Sequence, residues 1–164
     1  MKTLGIVGWS GSGKTTLIER LLPHLGQQGL RVSVIKQSHH AIETDQPGKD
    51  SWRHRQAGAH EVLLSTPHRW VLTHELRAEP APDLDALVAR LAPCDIVLVE
   101  GFKLAAHPKL EVWRSALGKP CLYPDDRRIL AVASDIPLPG IRQYDLDDIA
   151  AIGRFIMEVC KRDG

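Results

Sequence analysis

Residues Gly8-Trp9-Ser10-Gly11-Ser12-Gly13-Lys14-Thr15 match the pattern G-x-x-x-x-G-K-[ST] at every fixed position. Such a loop works only between a strand and the first turn of a helix, because its backbone N–H groups must converge on one anion. Glycines let the backbone close tightly round a polyphosphate. Lys14 then sets a cation at the β- and γ-phosphates, and the Thr15 hydroxyl is placed to coordinate Mg²⁺. With glycine at about 7% of residues, the fixed positions recur by accident in roughly one chain of this length in two hundred. The competing reading is a glycine-rich turn with an incidental lysine. The expected nucleotide contacts are Gly8, Trp9, Ser10, Gly11, Ser12, Gly13, Lys14, Thr15 and Thr16. Trp9 holds a variable position, where it either shields the phosphates or only packs against a neighbouring loop.

The flanks of the loop supply both elements. Residues 3–8 (TLGIVG) predict a short buried strand, and residues 14–26 carry Leu17, Leu21, Leu22 and Leu25 on one helical face. Pro23 falls inside that pattern and should kink or shorten the helix. Residues 31–36 predict a second strand, and residues 37–49, with Pro47-Gly48 and no period, a loop. Asp50 or Ser51 caps a helix predicted to run to Ala57, with Gly58 at its end. Strands are predicted over 61–66 and 69–73, joined by the Pro67-His68 turn. A third helix over 83–91 presents Leu84, Leu87, Val88 and Leu91 on one stripe. Residues 95–99 read as a strand buried on both faces, and 109–113 and 129–133 as further strands. Residues 145–161 close the chain as a helix with Ile149, Ile152, Phe155, Ile156 and Val159 inward. Alternating strands and helices predict an α/β chain. With the loop, this is a P-loop nucleotide-binding fold with a mostly parallel sheet flanked by helices and an antiparallel strand pair around 61–73. At 164 residues, one domain spanning 1–164 is expected, with 78–82 only a loop.

Composition narrows the function. Lys+Arg of 21 against Asp+Glu of 20 leaves no broad basic surface, which argues against a nucleic-acid partner. No run approaches the ~20 apolar residues that span a bilayer, so no membrane role is expected, and glycine and serine interrupt the N-terminus too early for a signal peptide. Cys94, Cys121 and Cys160 are odd in number and form no CxxC pair, as in a reduced, cytoplasmic protein.

A second acidic residue is needed near the metal. Asp95 and Glu100 flank the strand IVLV, roughly 16 Å apart at ~3.3 Å per residue, so only one can reach the phosphates. Ligands in parallel sheets bind at the carboxyl ends of strands, which selects Glu100 beside Thr15 as a Mg²⁺ ligand. An ordinary surface carboxylate is the alternative. Gly101 would let backbone approach the γ-phosphate. Asp45, in the loop after the second strand, is a candidate for Mg²⁺ binding and for catalysis, and equally a plain loop residue. Asp50 is more simply a helix cap. Asp135 follows the strand ILAVA and would accept hydrogen bonds from guanine N1 and N2, unless it only starts the turn before Ile136-Pro137. Neighbouring side chains in extended backbone point to opposite faces, so His39 and His40 make poor joint metal ligands. Asp125-Asp126-Arg127-Arg128 reads as a solvated turn rather than a kinase-like lid.

Several segments occur together with the loop: Lys36-Gln37-Ser38-His39-His40, Asp45-Gln46-Pro47-Gly48-Lys49-Asp50-Ser51, Ala57-Gly58-Ala59, Leu98-Val99-Glu100-Gly101-Phe102-Lys103 and Ala131-Val132-Ala133-Ser134-Asp135. In this order they resemble the MobB-type adapter family of molybdopterin-guanine dinucleotide biosynthesis, over nearly the whole chain. The PGKDS and VEGFK segments are far more specific than the loop, and Gln37 stands where a histidine is expected in many relatives. The resemblance implies a GTP-binding homodimer in molybdenum cofactor biosynthesis. It would assist the MobA-type guanylyltransferase that joins GMP to molybdopterin. With no convincing general base or arginine finger beyond Asp45 and the Arg127-Arg128 pair, at most weak GTPase activity is expected. The alternative is a small-molecule kinase or a carboxylate-activating ATPase using the same loop.

Overall fold

A parallel strand with both faces covered is apolar on both, as two stretches of the chain show most plainly. They are β1 (Lys2–Val7), whose Leu4, Ile6 and Val7 are buried, and β5 (Ile96–Glu100), buried throughout. The computed structural model describes residues 1–38 and 42–161; His39 and His40 lie outside the described residues. The chain divides into two compact units, Met1–Gln37 with Leu84–Gly164, and Ser38–Asp83.

The first unit is built on a parallel sheet in the order β2-β5-β1-β6-β7-β8, with β2 (Val32–Lys36), β6 (Lys109–Trp113), β7 (Ile129–Ser134) and β8 (Gln143–Asp145) joining the central pair. Helices α1 (Lys14–Gln27) and α4 (Ile149–Lys161) cover one face. Their Leu17, Leu21, Leu25, Ile152, Phe155 and Ile156 pack on Leu4, Ile6, Leu98, Leu110 and Ala131. On the other face Leu84 of the short α3 (Leu84–Val88) packs on Val97 and Val99, while Val7, Ile129 and Val132 lie under Trp113, Leu122 and Tyr123. The expected α/β P-loop fold is therefore the observed one.

Local differences have identifiable causes. Helix α1 runs through Pro23 to Gln27 and is not shortened. Both Glu19, whose carbonyl the ring deprives of a donor, and Pro23 face solvent, where water can replace the bond. The last helix starts at Ile149 rather than at 145, because Gln143–Asp145 is spent as an edge strand on β7. Asp148 Oδ1 then accepts the Ala151 N–H at 2.9 Å and caps the helix.

The second unit contains α2 (Asp50–Gln56) and the antiparallel pair β3 (Glu61–Ser65) and β4 (Trp70–His74), in a register running from Glu61 opposite His74 to Ser65 opposite Trp70. Asp50 is the first helical residue and not the cap; Lys49 holds that position without a side-chain bond. None of the described residues of this unit joins the buried hydrophobic core, and Leu63, Leu64, Trp70, Val71 and Leu72 are exposed. Polar contacts hold it instead. Arg55 donates from Nε to Asp45 at 2.7 Å, from Nη1 to Glu75 at 2.5 Å, and also to Glu43.

Candidate phosphate-binding site

The glycine loop leaves the carboxyl end of β1 at Gly8, which has φ +149°. A Cβ there would stand 2.3 Å from the Val112 carbonyl oxygen and 2.7 Å from Ser12 Oγ, so only glycine lets the loop cross β6 this closely. The loop then turns into α1 at Gly13. Ser10, Gly11, Gly13, Lys14, Thr15, Thr16, Lys36 and Glu100 line a cavity of about 430 Å³ at its mouth.

Lys14 Nζ donates to the Trp9 carbonyl at 2.8 Å, folding the side chain back over the loop. Burial pushes its ammonium below the usual lysine range; Glu100 opposes that, while Lys103 and Lys36 reinforce it. The Thr15 hydroxyl donates to Glu100 Oε1 at 2.9 Å. The parallel register that sets Lys36 and Ile6 beside Glu100 brings three strand ends to one place. Lys36 Nζ sits 3.3 Å from Glu100 Oε2 and 3.4 Å from Thr15 Oγ1, so an ammonium occupies the angle between the two predicted metal-binding oxygens. A hard cation fits the same donors, since both are oxygens and one is a carboxylate.

Gly101 has φ +110°, and a Cβ on it would lie 2.7 Å from Gln37 Cβ. Gln37 is a working part of this turn: its N–H donates to the Glu100 carbonyl at 2.8 Å, and its Oε1 accepts the Phe102 N–H at 2.8 Å. Arg114, at the end of β6, donates from Nε to the Ser12 carbonyl at 3.1 Å and lies against Gly13. Lys36, Gln37 and Arg114 were not singled out as site residues from sequence. Strand-end position was the usable signal for Lys36, but the register that makes it matter is a tertiary property.

Other predicted residues fall elsewhere. Trp9 donates from Nε1 to the Pro120 carbonyl at 2.7 Å, with Lys103 and Lys119 5.0 and 5.8 Å from the ring centre. Both oxygens of Asp135 are engaged by Ser115, whose N–H reaches Oδ1 at 2.9 Å and whose hydroxyl reaches Oδ2 at 3.0 Å. The backbone donor first, then the hydroxyl, holds that carboxyl below the ordinary range. Asp45 belongs to the second unit, with its carboxylate on Arg55. Arg128 is tied to Asp126 and to the carbonyls of Leu104 and Ala105, which suits a fixed turn and not a lid.

A loop seated in this way, with lysine and threonine on its first helical turn and a carboxylate arriving from the adjacent strand, places the chain among the P-loop nucleotide-binding proteins. Within that class it belongs to the MobB family: the family model described as "Molybdopterin guanine dinucleotide synthesis protein B" matches residues 3–135. It is 38% identical over 159 residues to the molybdopterin-guanine dinucleotide biosynthesis adapter protein of Escherichia coli K12, covering 94% of this chain and 91% of that one. Identity to the protein of the same name from Haemophilus influenzae is 44% over 154 residues, covering 93% and 86%. The crystal structure of a molybdopterin-guanine biosynthesis protein B aligns with a TM-score of 0.79 at 33% identity, covering 97% of this chain and 99% of that one.

Proposed function

We propose that this chain is a Mg²⁺-dependent GTP-binding adapter of cytoplasmic molybdenum cofactor biosynthesis, acting as a homodimer that assists a MobA-type guanylyltransferase. The observation that carries the nucleotide half is the joint presence of Lys14, Thr15 and Glu100 at one cavity. The adapter half rests on the names of relatives that match over most of their length. Thr15 and Glu100 would hold the Mg²⁺, which would neutralise phosphate charge when bound. Asp135, exposed at the end of β7, keeps lone pairs for guanine N1 and N2 beyond those used by Ser115. Homodimerisation is supported by the two-stranded β3-β4 sheet, which exposes Leu63, Leu64, Trp70, Val71 and Leu72.

Calorimetric titration with GTP and ATP, with and without Mg²⁺, tests the ligand, and pull-down with the guanylyltransferase tests the partner. The expected result is tighter GTP binding that needs Mg²⁺ and is reduced towards ATP-like affinity in Asp135→Ala. Equal affinity for both nucleotides, together with phosphoryl transfer to a small molecule, would replace this reading with the kinase alternative.

A further inference from the structure

The open end of the β3-β4 hairpin gathers two imidazoles and two carboxylates. Glu61 and His74 are direct cross-strand partners, and the ladder continues outward to His60, whose carbonyl accepts the Glu75 N–H at 3.1 Å. The two rings therefore meet edge to face, with centroids 4.6 Å apart. Glu79, on the segment that follows β4, returns to them: Oε2 is 3.3 Å from His74 Nε2, and Oε1 is 3.7 Å from His60 Nε2. One ring nitrogen from each histidine and one Glu79 oxygen all lie within 4.8 Å of one another. His74 Nδ1 stands 2.7 Å from Glu61 Oε1. An ionised carboxylate only accepts, so Glu61 keeps a proton on Nδ1, and loss of the proton from Nε2 would leave a lone pair on the side of Glu79. A carboxylate behind a histidine whose other nitrogen faces converging ligands is the usual second layer of a metal site.

We propose that His60, His74 and Glu79 bind a divalent transition-metal ion of the zinc type, with Glu61 as the positioning residue for His74. Imidazole with carboxylate suits zinc and its neighbours, whereas Mg²⁺ takes an all-oxygen set, so this site is chemically distinct from the one at Thr15 and Glu100. Three protein ligands leave one tetrahedral position for water or for a group from a partner. The second unit also has a use for such an ion. Neither α2 nor any other described part of it supplies a buried hydrophobic residue, and small units without a core commonly depend on a metal or on oligomerisation. The ion would clip the hairpin to residues 75–79 and convert binding energy into folding energy.

The competing account is that a proton does the ion's work, with a His74 imidazolium bridging Glu61 and Glu79. Zinc titration separates the two. Untagged, chelator-stripped full-length protein in excess Mg²⁺ is titrated with Zn²⁺ against a chromophoric chelator, and Co²⁺ is used as a spectroscopic probe of ligand field. Expected are one ion per chain, tetrahedral Co²⁺ absorption, and a Zn²⁺-dependent rise in Tm. His60→Ala and Glu79→Gln lie on side chains 62% and 49% exposed, so both should fold, as circular dichroism will check. Each should weaken Zn²⁺ by more than about tenfold, and Glu61→Gln, which touches no ion, by about tenfold. Absence of stoichiometric binding to the wild-type protein, or unchanged affinity and Co²⁺ spectrum in the His60→Ala, Glu79→Gln double variant, would overturn the proposal.

Discussion

Lys14 bonds to the Trp9 carbonyl and is disfavoured as an ammonium by burial, so it has more to gain from a polyphosphate than from its present contact. On the proposed reading its side chain serves the ligand rather than the core. In Lys14→Ala we expect GTP affinity to fall at least about tenfold, the weight of one charge-assisted contact, with an unchanged circular dichroism spectrum. Calorimetry that finds full affinity in a folded variant would remove the phosphate-site assignment. Glu100 should make a separable contribution, because its side chain touches Thr15 and Lys36. Glu100→Gln should keep basal nucleotide binding while losing most of its Mg²⁺ dependence, and an unaltered dependence would show that another group holds the metal. Lys14 and Thr15 were legible because the motif is contiguous. Glu100 was legible because a strand's carboxyl end can be found from the apolar run before it. Arg114 and Lys36 were not, since their places depend on which strands are neighbours, and no local pattern encodes that.

Elements behave in the same way: those defined by their own periodicity were found, and those defined by a neighbour were not. β5 and α4 declare themselves through Ile96–Val99 and the Ile149, Ile152, Phe155, Ile156 stripe. β8 is a short stretch of mixed polarity, Gln143-Tyr144-Asp145, that is a strand only because β7 offers an edge. The 125–128 turn reads as solvated in sequence, yet it reaches into the protein to neutralise Lys109, a fully buried residue at the start of β6. Asp126 Oδ2 accepts from Lys109 Nζ at 2.6 Å and Oδ1 from Arg128 Nε at 2.6 Å. The Arg128 bond first, with Lys109 beside it, drives the Asp126 carboxyl far below the ordinary carboxylate range. A carboxyl depressed in the folded state contributes its stability above the unfolded value near ~3.9 and loses it as pH falls through the folded one. Asp126→Asn should therefore destabilise the protein by about 3 kcal/mol near neutral pH, leaving an uncompensated buried ammonium. Urea denaturation should show that gap narrowing below about pH 4, where the carboxyl of the unfolded chain begins to take up a proton that the folded one still refuses. A variant as stable as the wild type at pH 7 would mean that the Lys103 carbonyl, 2.6 Å from Lys109 Nζ, suffices alone.

At the scale of the whole molecule the question is what a bound nucleotide is for. Hydrolysis needs a positioned water and positive charge where the leaving oxygens develop theirs, and an arginine supplied by the chain or a partner commonly provides the largest part. Lys14 and Lys36 line the loop cavity, but no arginine does among the described residues. Arg114 is occupied with the Ser12 carbonyl, and Arg128 is held by Asp126 and two backbone carbonyls. The carboxylate of Asp45, the only catalytic base suggested by sequence, is itself bound by Arg55. A site that grips phosphates and leaves the transition-state charge uncovered should bind well and turn over slowly. We therefore expect the isolated protein to hydrolyse GTP on the order of 10⁻³ per second or slower, the range of small GTPases acting without a partner. Steady-state phosphate release from the purified chain measures it, with and without the guanylyltransferase. Acceleration by that partner would locate the missing charge on its surface. Turnover of many per second by the chain alone would make it a dedicated enzyme and end the adapter reading.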